Sequence, residues 1–90
     1  MRTLTIYTKK NCPYCELLKM SLDTKNMKYE EIDVTNNKEL IEFLKSNGHR
    51  TVPQIYYKNH LFVKGGYEGF IAMSSNDIEK RFQEIEKNSV

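Results

Sequence analysis

Cys12 and Cys15 are the only cysteines in the chain, and they form one C-x-x-C. Two sulfurs at this spacing suit three uses: a structural bridge, half a metal site, or exchange with other disulfides. A bridge closing so short a loop removes little entropy from the unfolded chain, on the order of 2 kcal/mol. A zinc site needs further donors, yet no other cysteine exists, and His49 and His60 lack the H-x3-5-H spacing. Thiol–disulfide exchange is the best supported of the three.

That chemistry needs a thiolate, because the protonated thiol does not attack. A free cysteine of pKa near 8.5 is only ~3% thiolate at pH 7. The sequence supplies a remedy. Pro13 suits the first position of a helix, where its missing N–H is not needed, which puts Cys12 at the N-cap. Unpaired N–H groups and the helix dipole favour an anion there, and Lys9 and Lys10 add positive potential. A lower pKa also makes Cys12 a better leaving group. Cys15, one turn further in, is expected to be more buried. Cys12 is therefore the expected attacking sulfur, and Cys15 the sulfur that resolves the mixed disulfide.

The elements that must hold this pair follow from pattern. Thr3 to Thr8 alternates and reads as a strand. Tyr14, Leu17, Leu18 and Leu22 recur at helical spacing as a buried stripe, fading near Lys25–Asn26. Lys28 to Val34 is a second strand with Tyr29 and Ile32 inward. Asn36 resembles a helix cap, with Leu40, Ile41 and Leu44 as the buried face and Gly48 as the stop. Thr51 to Tyr57 is a third strand with Pro53 at its start. Lys58-Asn59 turns the chain into a short strand, His60 to Val63. Tyr67 to Met73 suits a short helix, and Ile78, Phe82 and Ile85 define another behind a cap-rich Ser74 to Asp77. The order β-α-β-α-β-β-α over residues 1–90 predicts one α/β domain, with the first two strands parallel and the last two an antiparallel hairpin.

Composition narrows the partners. Lys and Arg number 14 against 12 Asp and Glu, so charge gives no general case for nucleic acid or membrane surfaces. The first ten residues alternate and do not read as a signal peptide. The longest uncharged run, Gly69 to Asn76, has eight residues, far short of the ~20 that cross a bilayer. A cytoplasmic location is expected, where ordinary thiols stay reduced.

The segment Tyr7-Thr8-Lys9-Lys10-Asn11-Cys12-Pro13-Tyr14-Cys15 resembles the active-site segment of dithiol glutaredoxins, whose signature is Cys-Pro-Tyr-Cys. Thr51-Val52-Pro53-Gln54 and Gly65-Gly66-Tyr67-Glu68 match further family segments in the right order, so the resemblance reaches to about Met73. It implies a thioredoxin-like fold: a four-stranded mixed sheet flanked by helices. It also implies a glutathione site. Lys9 would meet the glycine carboxylate, and Tyr14 would line the groove. Thr51, Val52 and Pro53 would carry a cis proline that frees the Val52 backbone to pair with the cysteine of glutathione. Gly66, Tyr67 and Glu68 would receive the γ-glutamyl end. Each of these residues also has an ordinary role as surface cation, core, strand start or turn. Arg50 reads as solvated and outside the site. Two departures stand out. Family members often have an aspartate after position 68, where this chain has Gly69, and Ile55 to Lys64 is about two residues long for the family, which predicts a longer hairpin away from the thiols.

The resemblance implies a monomeric enzyme that reduces protein disulfides and glutathione mixed disulfides with glutathione as co-substrate. It would hold no bound cofactor, and ribonucleotide reductase would be a client. Two rivals carry different expectations. One is a glutaredoxin-like redoxin reduced by thioredoxin reductase, against which Lys9 and Gly66-Tyr67-Glu68 argue. The other is a glutathione-ligated iron–sulfur carrier, against which Pro13 argues.

Overall fold

The order of elements along the chain is β1 (Thr3–Thr8), α1 (Pro13–Thr24), β2 (Lys28–Asp33), α2 (Lys38–Ser46), β3 (Gln54–Tyr57), β4 (His60–Leu61), α3 (Gly66–Ile71) and α4 (Ser75–Lys87). These come from a computed structural model that describes residues 1–88. The sheet runs β2-β1-β3-β4. β1 pairs parallel with β2 and antiparallel with β3, and β3 pairs antiparallel with β4. This is the mixed four-stranded sheet of the thioredoxin-like fold, and α3 is the short helix read near Tyr67–Met73.

Alternation along β1 buries Leu4, Ile6 and Thr8. Leu4 and Ile6 join Ile55 and Tyr57 of β3, Leu18 and Leu22 of α1, Phe70 of α3, and Ile78, Phe82 and Ile85 of α4 in one core. A second apolar cluster stacks Tyr7, Tyr56, Phe43 of α2 and His49, with ring centroids 5.5–5.8 Å apart. β1 and β3, packed on by both clusters, therefore form the rigid centre from which the site loops leave.

Several details differ from expectation. The buried stripe of α1 is Cys15, Leu18 and Leu22, whereas Tyr14 and Leu17 are 52% and 40% exposed. They lie one residue before Cys15 and Leu18, about 100° around the helix, which takes them off the buried line. The cap of α2 is Asn37, whose Oδ1 accepts the Leu40 N–H at 3.0 Å; Asn36 lies one residue too early to reach that donor. The hairpin after β3 turns tightly, and the Phe62 N–H donates to the Ile55 carbonyl at 2.8 Å beyond β4. Lys58 and Asn59, both at positive φ, form a two-residue turn, and β4 ends at Leu61. Such a turn matches the twist of the paired strands. Val34 is buried but lies beyond the end of β2.

α4 is tied down at both ends of the sheet. Ser74 and Asp77 form a capping box at its start. Arg81 donates from Nε to the Phe62 carbonyl at 3.0 Å and from Nη2 to the Leu61 carbonyl at 2.9 Å. Near its end Glu86 accepts from Arg2 Nε and from the Tyr57 hydroxyl, both at 2.8 Å. Arg2 also pairs with Glu79 and lies 4.7 Å over the Phe82 ring. The Arg2 and Tyr57 bonds hold the Glu86 carboxyl down at about 2.

Candidate functional site

The end of β1 sets the position of the cysteine loop. Thr8 is buried, donates from its hydroxyl to Glu31 Oε2 at 2.8 Å, and accepts the Val34 N–H at its carbonyl at 2.8 Å. Two residues later the Lys10 N–H donates to Thr35 Oγ1 at 2.9 Å. Thr35 is itself bonded to Asp33, whose carboxyl these bonds hold below the usual range. Asn11 then takes a positive φ of 57°, and the chain turns into α1.

Cys12 is the N-cap of α1, with Pro13 in the first turn. Its Sγ accepts the Cys15 N–H at 3.2 Å. Cys12 and Cys15 are joined by a disulfide, with Cα atoms 5.2 Å apart. Cys12 is half-buried while Cys15 is fully buried, which is the asymmetry expected of an attacking and a resolving sulfur. The Val52 carbonyl oxygen lies 3.8 Å from Cys12 Sγ. In the disulfide Sγ has no proton to give, so this is a contact and not a hydrogen bond.

The Val52–Pro53 peptide is cis, as the resemblance implied. The side chain of buried Gln54 donates to the Thr51 carbonyl at 2.8 Å and braces this loop from below. α3 begins directly against it. Gly66 has a φ of +57°, and a Cβ there would stand 2.6 Å from the Pro53 carbonyl oxygen, so only glycine permits this contact. The rings of Tyr14 and Tyr67 pack at 6.0 Å and bridge α1 to α3.

These pieces enclose a groove of about 210 Å3 lined by Tyr14, Thr51, Val52, Pro53, Gly65, Gly66, Tyr67 and Glu68. Seven of these eight positions carry the residues that the sequence assigned to glutathione. Lys9 is not in this groove. It lines a smaller neighbouring cavity of about 70 Å3, which shares Thr51 and Val52 as a wall. Arg50, read as solvated and outside, is exposed and not part of the groove, and it lines that same smaller cavity. Gln54 was missed as a brace, although it lies within the quoted segment. His49 accompanies Arg50 and pairs with the Tyr56 hydroxyl at 2.7 Å; burial pushes its pKa below the usual 6.5.

Gly69 has a steric reason. A Cβ there would collide with the Lys64 carbonyl and lie 3.3 Å from Val63 Cγ2. The 63–65 turn lies down on α3, and no side chain fits at position 69.

Among the described residues, no group of three or more His, Cys, Asp or Glu is arranged to hold a metal, and no helix is long and apolar enough to cross a membrane. A family model described as Glutaredoxin matches residues 4–62. Glutaredoxin 1 of Rickettsia prowazekii (strain Madrid E) is 40% identical over 91 residues, spanning 98% of this chain and 95% of that protein. Glutaredoxin 1 of Rickettsia felis is 48% identical over 62 residues, which is 66% of this chain and 61% of that protein, less than two thirds of its length. The solution structure of a glutaredoxin from Brucella melitensis superposes with a TM-score of 0.66 at 34% identity, covering 80% of this chain and 77% of that one.

Proposed function

The chain belongs to the glutaredoxin family, and from that premise we propose that it is a glutathione-dependent thiol–disulfide oxidoreductase working through Cys12 and Cys15. The observation that carries the reading is the Cys12–Cys15 disulfide at the tip of α1, beside the groove of Tyr14, Thr51–Pro53 and Gly66–Glu68.

With a glutathione mixed disulfide, the Cys12 thiolate attacks the glutathione sulfur and the client thiolate leaves. A second glutathione thiolate then attacks the Cys12-bound sulfur, releasing glutathione disulfide and restoring Cys12. With a disulfide inside a protein, Cys12 forms a mixed disulfide with the client and expels one client thiolate. Cys15 attacks Cys12 in that bond and expels the second. Two glutathiones then reduce Cys12–Cys15, so two electrons pass from two glutathiones to one disulfide. The Cys15 N–H, 3.2 Å from Cys12 Sγ, favours that sulfur as a thiolate each time it leaves.

Glutathione fits the walls chemically. Lys9 suits its glycine carboxylate, the Val52 backbone its cysteine, and Gly66, Tyr67 and Glu68 its γ-glutamyl end. The protein acts in the cytoplasm as a monomer without a resident cofactor. Ribonucleotide reductase is its proposed client. The test runs two coupled assays in parallel on one disulfide substrate, with glutathione and glutathione reductase or with thioredoxin reductase. Turnover in the first and not the second is expected, and the reverse would sink the reading. Purified protein is expected to be colourless; a red-brown preparation with thiolate-to-iron absorption would support a cluster carrier instead.

A further inference from the structure

The groove beside the disulfide does not end at its glutathione walls. Thr51 and Gly65 also line a second cavity of about 390 Å3, whose other walls include Arg50, His49, Gln54 and Lys64. His49, Arg50 and Thr51 then continue into the small cavity that holds Lys9 and Lys45. Four cations thus converge from four segments: Lys9 after β1, Lys45 in the last turn of α2, Arg50 in the α2–β3 loop, and Lys64 in the β4–α3 connection. No carboxylate lines either cavity, although the chain carries 12 Asp and Glu in all. All four cations are exposed, and among the described residues none takes part in an ion pair. The single acid at the groove, Glu68, lies on the opposite, α3 side.

We propose that this cationic extension is the docking surface for client polypeptides that carry acidic residues flanking the disulfide to be reduced. The inference rests on reading Cys12–Cys15 as a pair that exchanges with polypeptide disulfides. A chain whose cysteine reaches Cys12 passes the Thr51–Val52 backbone and runs on between Arg50 and Lys64. Carboxylates on it meet cations there, and Lys or Arg is repelled. Lys45 and Lys64 lie outside the residues assigned to glutathione, so the extension discriminates among proteins and not among small disulfides. A polypeptide suits the surface better than a nucleic acid, because the cations gather beside the redox disulfide and no exposed aromatic ring lines these cavities as a base-stacking platform.

The test uses the pre-reduced protein in single turnover, which needs no glutathione, on two peptides of equal length. Each has one intramolecular disulfide, flanked either by Asp and Glu or by Lys. For exposed charges, an acidic preference of about three- to tenfold in second-order rate is expected at low salt. It should shrink as salt rises. The double variant Lys45→Glu, Lys64→Glu should lose or invert the preference while reducing a small uncharged disulfide at the wild-type rate. Equal rates on the two wild-type peptides overturn the proposal, as does a preference insensitive to salt or retained by the double variant. Tight oligonucleotide binding without a peptide preference also overturns it. Failure of glutathione to drive steady-state turnover, with the peptide preference intact, would count against the proposed donor and leave the docking surface standing.

Discussion

The backbone N–H of Cys15 donates to Sγ of Cys12 across 3.2 Å, so one cysteine of the pair supports the sulfur of the other. The helix N-terminus makes the two cysteines unequal. One caps the helix and meets solvent in part, whereas the other is sealed in the core with Leu18 and Leu22.

Cys12→Ser is expected to abolish all exchange, because it removes the attacking sulfur. Cys15→Ser should still reduce glutathione mixed disulfides, with external glutathione as the resolving thiol, and lose much of its activity on disulfides within a protein. Assays on both substrate types check this. Equal loss in the two variants on the mixed disulfide would refute the division of labour.

In the dithiol, Cys12 is expected to titrate well below 8.5, since N–H groups at the helix start and nearby lysines favour the anion. The pH dependence of alkylation, or thiolate absorbance near 240 nm (about the usual thiolate band), reads it. A Cys12 titrating at the free value would remove the physical basis of the mechanism.

Lys9 and Glu68 line separate cavities that share the Thr51–Val52 wall, as two anchors for a ligand charged at both ends require. Lys9→Gln and Glu68→Ala should each raise the KM for glutathione, with smaller effects on kcat. Both side chains are exposed, so the rise should lie between several-fold and about tenfold. The effects should nearly add. Unchanged glutathione kinetics in both variants would count against glutathione in this groove.

Gly69→Ala should destabilise the fold by about 1–3 kcal/mol, since its Cβ overlaps a backbone carbonyl that cannot swing aside as a side chain would. Gly69→Asp should do the same without lowering the KM for glutathione. Urea denaturation gives the first and steady-state kinetics the second. Wild-type stability in Gly69→Ala would mean that the 63–65 turn shifts freely.

Glu86 has a carboxyl lowered from 4.5 to about 2, by its bond from Arg2 first and from Tyr57 second. A depressed carboxylate stabilises the fold above its unfolded pKa, and that contribution fades as pH falls through the folded value. The loss should therefore run from about pH 4.5 down to about 2. Glu86→Gln should be less stable at pH 7 and show a shallower acid slope in that window, as thermal melts across pH would show. An identical slope in the variant would assign the acid sensitivity elsewhere.

Local chemistry made much of this legible. Pro13 fixed the start of α1 and hence the N-cap role of Cys12, and alternation found β1 to the residue. What failed was information carried by distant parts of the chain. Tyr14 has helical spacing like the core residues, and its exclusion from the buried stripe is set by α3, where it packs on Tyr67 in the groove that the resemblance implies. Arg50 is indistinguishable from other surface cations until the loop folds beside Lys9. Gly69 reads only as a departure from the family, because the constraint on it comes from the Lys64 carbonyl five residues earlier, in a turn that no periodicity describes.

The two outer strands have a consequence for self-association. A strand at the edge of a sheet leaves backbone groups on which another chain could pair. β2 presents Lys28, Glu30, Glu31 and Asp33 at its edge, a mixture of charges that a facing strand would have to desolvate. β4 is only two residues long, and the Arg81 fork already occupies the Leu61 and Phe62 carbonyls beside it. β4 therefore offers almost no free ladder, and a second copy pairing along β2 would have to bury those charges. Charge along one edge and brevity along the other are what oppose strand-to-strand association.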